Sequence, residues 1–122
     1  MSLERSVQVK QVTTSDATPT NVSTAAITLG DDREGYAECV LVLKSGSDVK
    51  TMKVGGTVKR AAAGAASIVG TIQSILTAQG DVGLAAAIAT LVASGNTVVP
   101  QVTGIAATTI IWDVWHTITF KP

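Results

Sequence analysis

Apolar and polar residues alternate with a period of two along most of this chain, the pattern of strands with one face buried. Ser6-Val7-Gln8-Val9-Lys10 alternates and is closed by the turn cluster Ser15-Asp16-Ala17-Thr18-Pro19-Thr20, which predicts an opening strand. Asn21 to Leu29 is rich in Val, Ile and Thr and predicts a second strand, ending at the charged, glycine-bounded loop 30–35. Tyr36 to Lys44 and Val49 to Arg60, joined by Ser45-Gly46-Ser47-Asp48, predict a hairpin. Its second arm sets Met52, Val54 and Val58 on one face and Thr51, Lys53, Thr57 and Lys59 on the other. Gly55-Gly56 within that arm reads as a bulge. Ser67 to Leu76 reads as a strand, although Ile68, Ile72, Ile75 and Leu76 also match helical spacing.

Leu84 to Ala93 poses a conflict, because its Ala and Leu content favours a helix on intrinsic propensity. The two-residue turn signal Gly95-Asn96 and the β-rich segment 97–104 outweigh that preference, since a hairpin makes residues 84–94 a strand. Pro100 cannot donate to a ladder and is expected at an edge or a bulge. Thr108 to Phe120 is the clearest strand of all. Seven or eight strands, with turns every 10–15 residues or so and no convincing helix, predict an all-β, antiparallel β-sandwich. A jelly-roll arrangement of the same strands remains open.

The last strand sorts the aromatics. Ile110, Trp112, Val114, His116, Ile118 and Phe120 share one face; Thr109, Ile111, Asp113, Trp115, Thr117 and Thr119 share the other. The first face belongs to the core, with Trp112 and Phe120 as anchors, and the Trp112 indole N–H needs an acceptor. His116 interrupts that face and is read as satisfied by a backbone carbonyl or as lying near the rim. Trp115 falls on the polar face, where a large aromatic needs cover from a loop, a subunit or a stacked sugar ring.

Composition sharpens this picture. In 122 residues there are 17 Ala, 17 Thr, 16 Val and 11 Gly but only two Trp, one Tyr and one Phe, so the core is built from small side chains. One domain is expected over 1–122, burying about two-thirds of its unfolded surface, with residues 1–4 as a disordered or expression-added leader. Nine basic residues balance nine acidic ones, and 15% charged residues with 46% hydrophobic ones exclude disorder. Lys50, Lys53, Lys59 and Arg60 make only a modest basic stripe, which argues against a nucleic-acid partner. The uncharged stretch Val82–Trp112 is broken by Gly95, Asn96, Pro100 and Gln101, so no membrane insertion is expected. No signal peptide is read at the start, which places synthesis in the cytoplasm.

Candidate chemistry is sparse. One His and one Cys fall short of the three or four ligands of a zinc site and of the two cysteines of a disulfide. Cys39, within an apolar run, reads as a small buried hydrophobe. Any nucleophilic set has to run through His116, and Asp113 lies on the opposite face of the same strand, unable to orient that ring. Asp31, Asp32 and Glu34 sit together in a loop and read as a solvated charge run. Gly55-Gly56-Thr57-Val58-Lys59 lacks the spacing of a phosphate-cradling loop. Asn21-Val22-Ser23 matches a glycosylation acceptor only by chance. No catalytic residue, metal or cofactor is expected.

The order of motifs resembles a known family. Thr-Thr-x-Asp-Ala-Thr-Pro-Thr opens at Thr13, Gly-Gly-Thr follows at 55–57, Ala-Ser-Gly-Asn-Thr-Val-Val-Pro-Gln-Val-Thr-Gly spans 93–104 and Thr-Ile-Ile-Trp spans 109–112. Over residues 13–120 this is similar to the small β-sandwich domains of tail and tail-fibre proteins of bacteriophages and prophages. The family's closing pattern is carried by Ser94, Gly95, Asn96, Val102, Thr103, Gly104, Thr109, Ile110 and Trp112. The resemblance implies that 84–93 is a strand and that the sandwich has no catalytic residues. It also implies a virion setting among other tail proteins and a homo-oligomer, with a trimer favoured. Trp115-His116 stands where a polar or small pair is expected, so no ligand role is carried onto it.

Two functions follow as expectations. The first is a noncatalytic virion or prophage structural module that self-associates through Val40, Val42, Ile111 and Trp115, apolar residues on strand faces that water alone would leave polar. The second is a module binding a bacterial surface glycan, with Trp115 or Tyr36 as stacking platform. An enzyme is the least favoured reading, for want of groups.

Overall fold

The computed structural model describes residues 4–122; of the leader expected at residues 1–4, all but Glu4, which begins the first strand, lies outside the described residues. The chain there forms β1 (Glu4–Thr14), β2 (Thr20–Asn21), β3 (Ile27–Thr28), β4 (Arg33–Ser45), β5 (Asp48–Arg60), β6 (Ala66–Gly80), β7 (Ile88–Ser94), β8 (Thr97–Thr103) and β9 (Ile110–Phe120). Two 3₁₀ turns, Ser23–Ala25 and Val82–Leu84, complete the elements. Every pairing is antiparallel. A five-stranded sheet runs in the order β1-β9-β4-β5-β6, and in a smaller sheet β8 pairs with β2 and β3 on one side and with β7 on the other. The molecule is an all-β, antiparallel β-sandwich.

Period-two alternation fixes which face of the large sheet is buried. Across β9, β4 and β5 the register aligns Trp112 with Leu43, Val114 with Leu41 and Met52, and Ile118 with Ala37 and Gly56, all on the inner face. From the other layer Val22, Ala25, Ile27, Leu29, Leu84, Ala87, Leu91, Val98 and Val102 close over them. Burying the roughly 150–250 Å² of Trp112 contributes about 4–6 kcal/mol before entropy is counted. Its indole N–H donates to Thr14 Oγ1 at 2.9 Å, which supplies the acceptor that a buried tryptophan requires.

Three local expectations are corrected and one is met in part. Residues 21–29 are not one strand: β2 and β3 flank the 3₁₀ turn 23–25, whose carbonyls turn away from any ladder. Likewise 84–93 becomes a strand only from Ile88, because the turn 82–84 tucks Leu84 and Ala87 into the core. Pro100 sits at neither an edge nor a bulge but in the middle strand of the small sheet, buried opposite Leu91. Val22 N–H donates to Pro100 O at 2.8 Å, so the missing Pro100 N–H points to the side where the partner is interrupted between β2 and β3 and no ladder acceptor waits for it. The bulge expected at Gly55-Gly56 is present on one side only: the pair keeps unbroken register with β4, while its pairing with β6 shifts between Gly55 and Thr57, opposite the segment in which Gly70 adopts a left-handed φ of 79°.

Lys50 is also misplaced by the basic-stripe reading. It shares the inner face with Met52 and Val54, is buried, and donates to Leu84 O (3.1 Å), Ala85 O (3.2 Å) and Ala87 O (2.9 Å). Burial pushes its pKa down, and the three carbonyls satisfy the ammonium's three N–H groups. Lys50→Met keeps the apolar stem and strips these donors, leaving the carbonyls of 84–87 without them. A loss of about 2–3 kcal/mol is expected, read as a lower urea midpoint with little change in the slope of the transition.

Candidate functional site on the outer sheet face

The face of the large sheet turned away from the small one gathers the residues that do not fit a solvated surface. In register across four strands, Val9 of β1, Trp115 of β9, Val40 of β4 and Lys53 of β5 form one row. Gln11, Asp113, Val42 and Thr51 form the next, and Thr13, Ile111, Lys44 and Val49 the one beyond. Trp115 therefore lies between two valines, with Val42 on its diagonal and Ile111 diagonal to Val42, within reach of cross-strand contact. Trp115 is 39% exposed, and Val42 and Ile111 are exposed to a similar degree. Four of the polar residues around them are engaged: Lys53 Nζ lies 3.4 Å from Glu38 Oε2, and Gln11 Nε2 donates to Asp113 Oδ1 at 2.8 Å.

Tyr36 stands apart. It lies on the same face, but four residues along β4 from the Val40 that partners Trp115, about 13–14 Å away. Trp115 and Tyr36 are thus two separate surfaces. The Tyr36 ring end lies over Gly55, where a Cβ would collide with the phenol oxygen. Gly55 is the notch that seats this ring.

Two residues of the patch escaped the sequence reading. Val7 and Val9 are 50% and 55% exposed on the outer face, while Ser6, Gln8 and Lys10 of the same strand take the inward parity. The alternation itself was legible in 6–10. Its sense was not, because valines ordinarily turn inward and only the register with β9 places them beside Trp115.

At one end of the patch, Lys44, Ser45, Gly46, Ala107, Thr108, Thr109 and Ile111 line a shallow cleft of about 410 Å³. Ala107 holds a left-handed φ of 54° in its wall, an uncommon backbone for a residue with a Cβ.

The inner face carries the reactive side chains. Cys39 and His116 are cross-strand partners on β4 and β9, both fully buried. Burial pushes the Cys39 thiol up to about 12, so it stays protonated and is a poor nucleophile. His116 Nδ1 lies 2.7 Å from Ala25 O and Nε2 has no hydrogen-bond partner. With Nδ1–H donating to the carbonyl, the ring is a neutral tautomer tying β9 to the 23–25 turn. Asp113 points to the other face, with Gln11. Asp31 does more than sit in solvent: its Oδ1 meets Arg60 Nη2 at 3.0 Å and accepts from Ala63 N–H at 3.2 Å. Among the described residues no group of three or more His, Cys, Asp or Glu is placed to hold a metal ion. The basic stripe does not assemble, since Lys50 is buried and Lys53 and Arg60 are paired. No described helix is long and apolar enough to cross a membrane.

No protein-family model and no curated protein matches this sequence. Among solved structures, the tailspike protein of Acinetobacter baumannii phage AM24 superposes with a TM-score of 0.50 at 12% identity, over 93% of this chain. The fold is similar to part of a phage tailspike. The chain spans 26% of that tailspike's length, and the likeness is one of architecture.

His116 gives a pH signature. Desolvation pushes its pKa below the usual 6.5, partly opposed by the Ala25 carbonyl. Above about pH 6.5 the ring is neutral both folded and unfolded and contributes no pH dependence. As pH falls below 6.5 the unfolded chain takes up the proton first, so stability declines, by up to about 1.4 kcal/mol per pH unit for one group. Urea midpoints measured from pH 8 down to 5 are expected to fall below pH 6.5 in the native chain, and to stay flatter in His116→Met.

Proposed function

We propose that this chain is a noncatalytic structural module of a phage or prophage virion, of tail or tail-fibre type, that self-associates through the outer face of its large sheet. The observation that carries the reading is the apolar patch of Val7, Val9, Val40, Val42, Ile111 and Trp115 on a face that no other part of the described chain covers. A soluble sheet facing only water would carry polar residues at these positions. Within the patch it is Trp115 that matches the aromatic enrichment of interface cores, and the exposed valines of β1 and β4 extend the apolar surface around it. The tailspike-like fold supports the virion setting. The family resemblance favours three copies; the patch itself does not set the number.

A second reading, recognition of a bacterial surface glycan, is favoured by the exposure of Trp115 and by the cleft that Ile111 lines together with Lys44, Ser45, Thr108 and Thr109. Stacking of a sugar on an indole face needs an open ring, whereas self-association covers it, so the two compete for the same side chain.

Light scattering on the native chain is expected to give a mass above one copy, lowered in Trp115→Asp while the far-ultraviolet strand signal is retained. A native chain that stays monomeric at high concentration removes the self-association reading. A glycan array separates the second reading: a signal abolished by Trp115→Ala supports it, and an empty array counts against it. Gly55→Ala, which displaces the Tyr36 ring, is expected to leave both readouts unchanged, because Tyr36 lies outside the patch.

A further inference from the structure

The two edges of the large sheet are built differently. β6 breaks register with β5 between Thr51 and Lys53, between Lys53 and Val54, and between Gly55 and Thr57, and Gly70 in it takes a left-handed backbone. Bulges and twists of this kind keep a second strand from docking. β1 has none of these devices. All eleven of its residues, Glu4–Thr14, pair in unbroken register with β9, and it holds no proline and no glycine. On its other side, no described strand pairs with it. A regular edge about 35 Å long, with its main-chain donors and acceptors unpaired by any strand, is a template for another strand.

The sequence of β1 is self-complementary in one antiparallel register. With Gln8 opposite Gln8 of a second copy, Val7 faces Val9 of the second copy and Val9 faces its Val7, on the outer face beside Trp115. Arg5 then faces Gln11 and Lys10 faces Ser6, so no like charges meet. A register centred on Val9 sets Val7 against Gln11, and one centred on Lys10 stacks two ammonium groups. We propose that β1 pairs antiparallel with β1 of a second copy about a two-fold axis at Gln8, joining two five-stranded sheets into one of ten strands.

This contact goes beyond the outer-face association and does not depend on it. The exposed apolar surface of the patch is on the order of 300–400 Å², well under the roughly 800 Å² per partner of a stable interface. Edge pairing adds a ladder of main-chain hydrogen bonds to it and makes the Val40–Trp115–Val9 row of each copy run into Val7 of the other.

Disulfide trapping tests the register. In Gln8→Cys the two introduced thiols come within bonding range across the two-fold axis, while the native Cys39 is sealed in the core. Lys10→Cys places the same residue about 13 Å from its counterpart. Under mild copper-phenanthroline oxidation of the native-folded chain, Gln8→Cys is expected to shift to a reducible dimer band on a denaturing gel and Lys10→Cys to remain monomeric. The dimer band is expected to persist when Gln8→Cys is combined with Trp115→Asp. Absence of the band in Gln8→Cys, or an equal band in Lys10→Cys, overturns the pairing, as does loss of the band in the combined variant. An untrapped native chain that light scattering finds associated leaves the outer-face reading standing alone.

Discussion

Main-chain carbonyls that leave a strand ladder inside a protein must find donors elsewhere, and in this sandwich three side chains of the large sheet provide them. His116 reaches Ala25 O in the 23–25 turn, Lys50 reaches Leu84, Ala85 and Ala87 around the 82–84 turn, and Arg60 reaches Leu29 O at 3.0 Å and Gly64 O at 2.7 Å. The smaller layer has short strands because its chain turns so often, and the 23–25 and 82–84 turns present carbonyls to the large sheet. Without these donors the layer could not be both irregular and buried. The small residues of the core fit the same arrangement: with few bulky side chains between them, the layers lie close enough for one lysine or one imidazole to bridge.

That dependence also marks where a reading from sequence runs out. The long strands were legible, because period-two alternation and the turn pairs Gly46-Ser47 and Gly95-Asn96 are local signals, and both hairpins close at those residues. Residues 21–29 and 84–87 were misread because what bends them is not local: the donor to Ala25 stands 91 residues away and the donor to Ala87 stands 37 away. Pro100 was misjudged for the same reason, since its tolerance rests on a gap between β2 and β3. Lys50 was legible in principle; parity sets it on the face of Met52 and Val54, and only its charge argued otherwise.

For the candidate site the division is similar. The outward parity of Ile111 and Trp115 follows from β9 alone, and that of Val40 and Val42 from the hairpin. Their convergence around one indole, and the addition of Val7 and Val9, required the β1–β9 register, a pairing between the two ends of the chain. The separation of Tyr36 from Trp115 is likewise a matter of register. What the face offers is an apolar surface flanked by the Lys53–Glu38 pair and the Gln11–Asp113 hydrogen bond, suited to packing against another surface more than to chemistry.

Where His116, Lys50 and Arg60 join the layers, the bond runs from a side chain on one to a main-chain oxygen on the other, and this makes the burden of heredity unequal. Every residue type carries a carbonyl, so the turns 23–25 and 82–84 can drift in sequence while keeping their end of each bond. His116, Lys50 and Arg60 have no such freedom. A lineage of such domains would then diverge fastest in its small sheet and hold still at three scattered positions that, viewed along the chain, look unrelated.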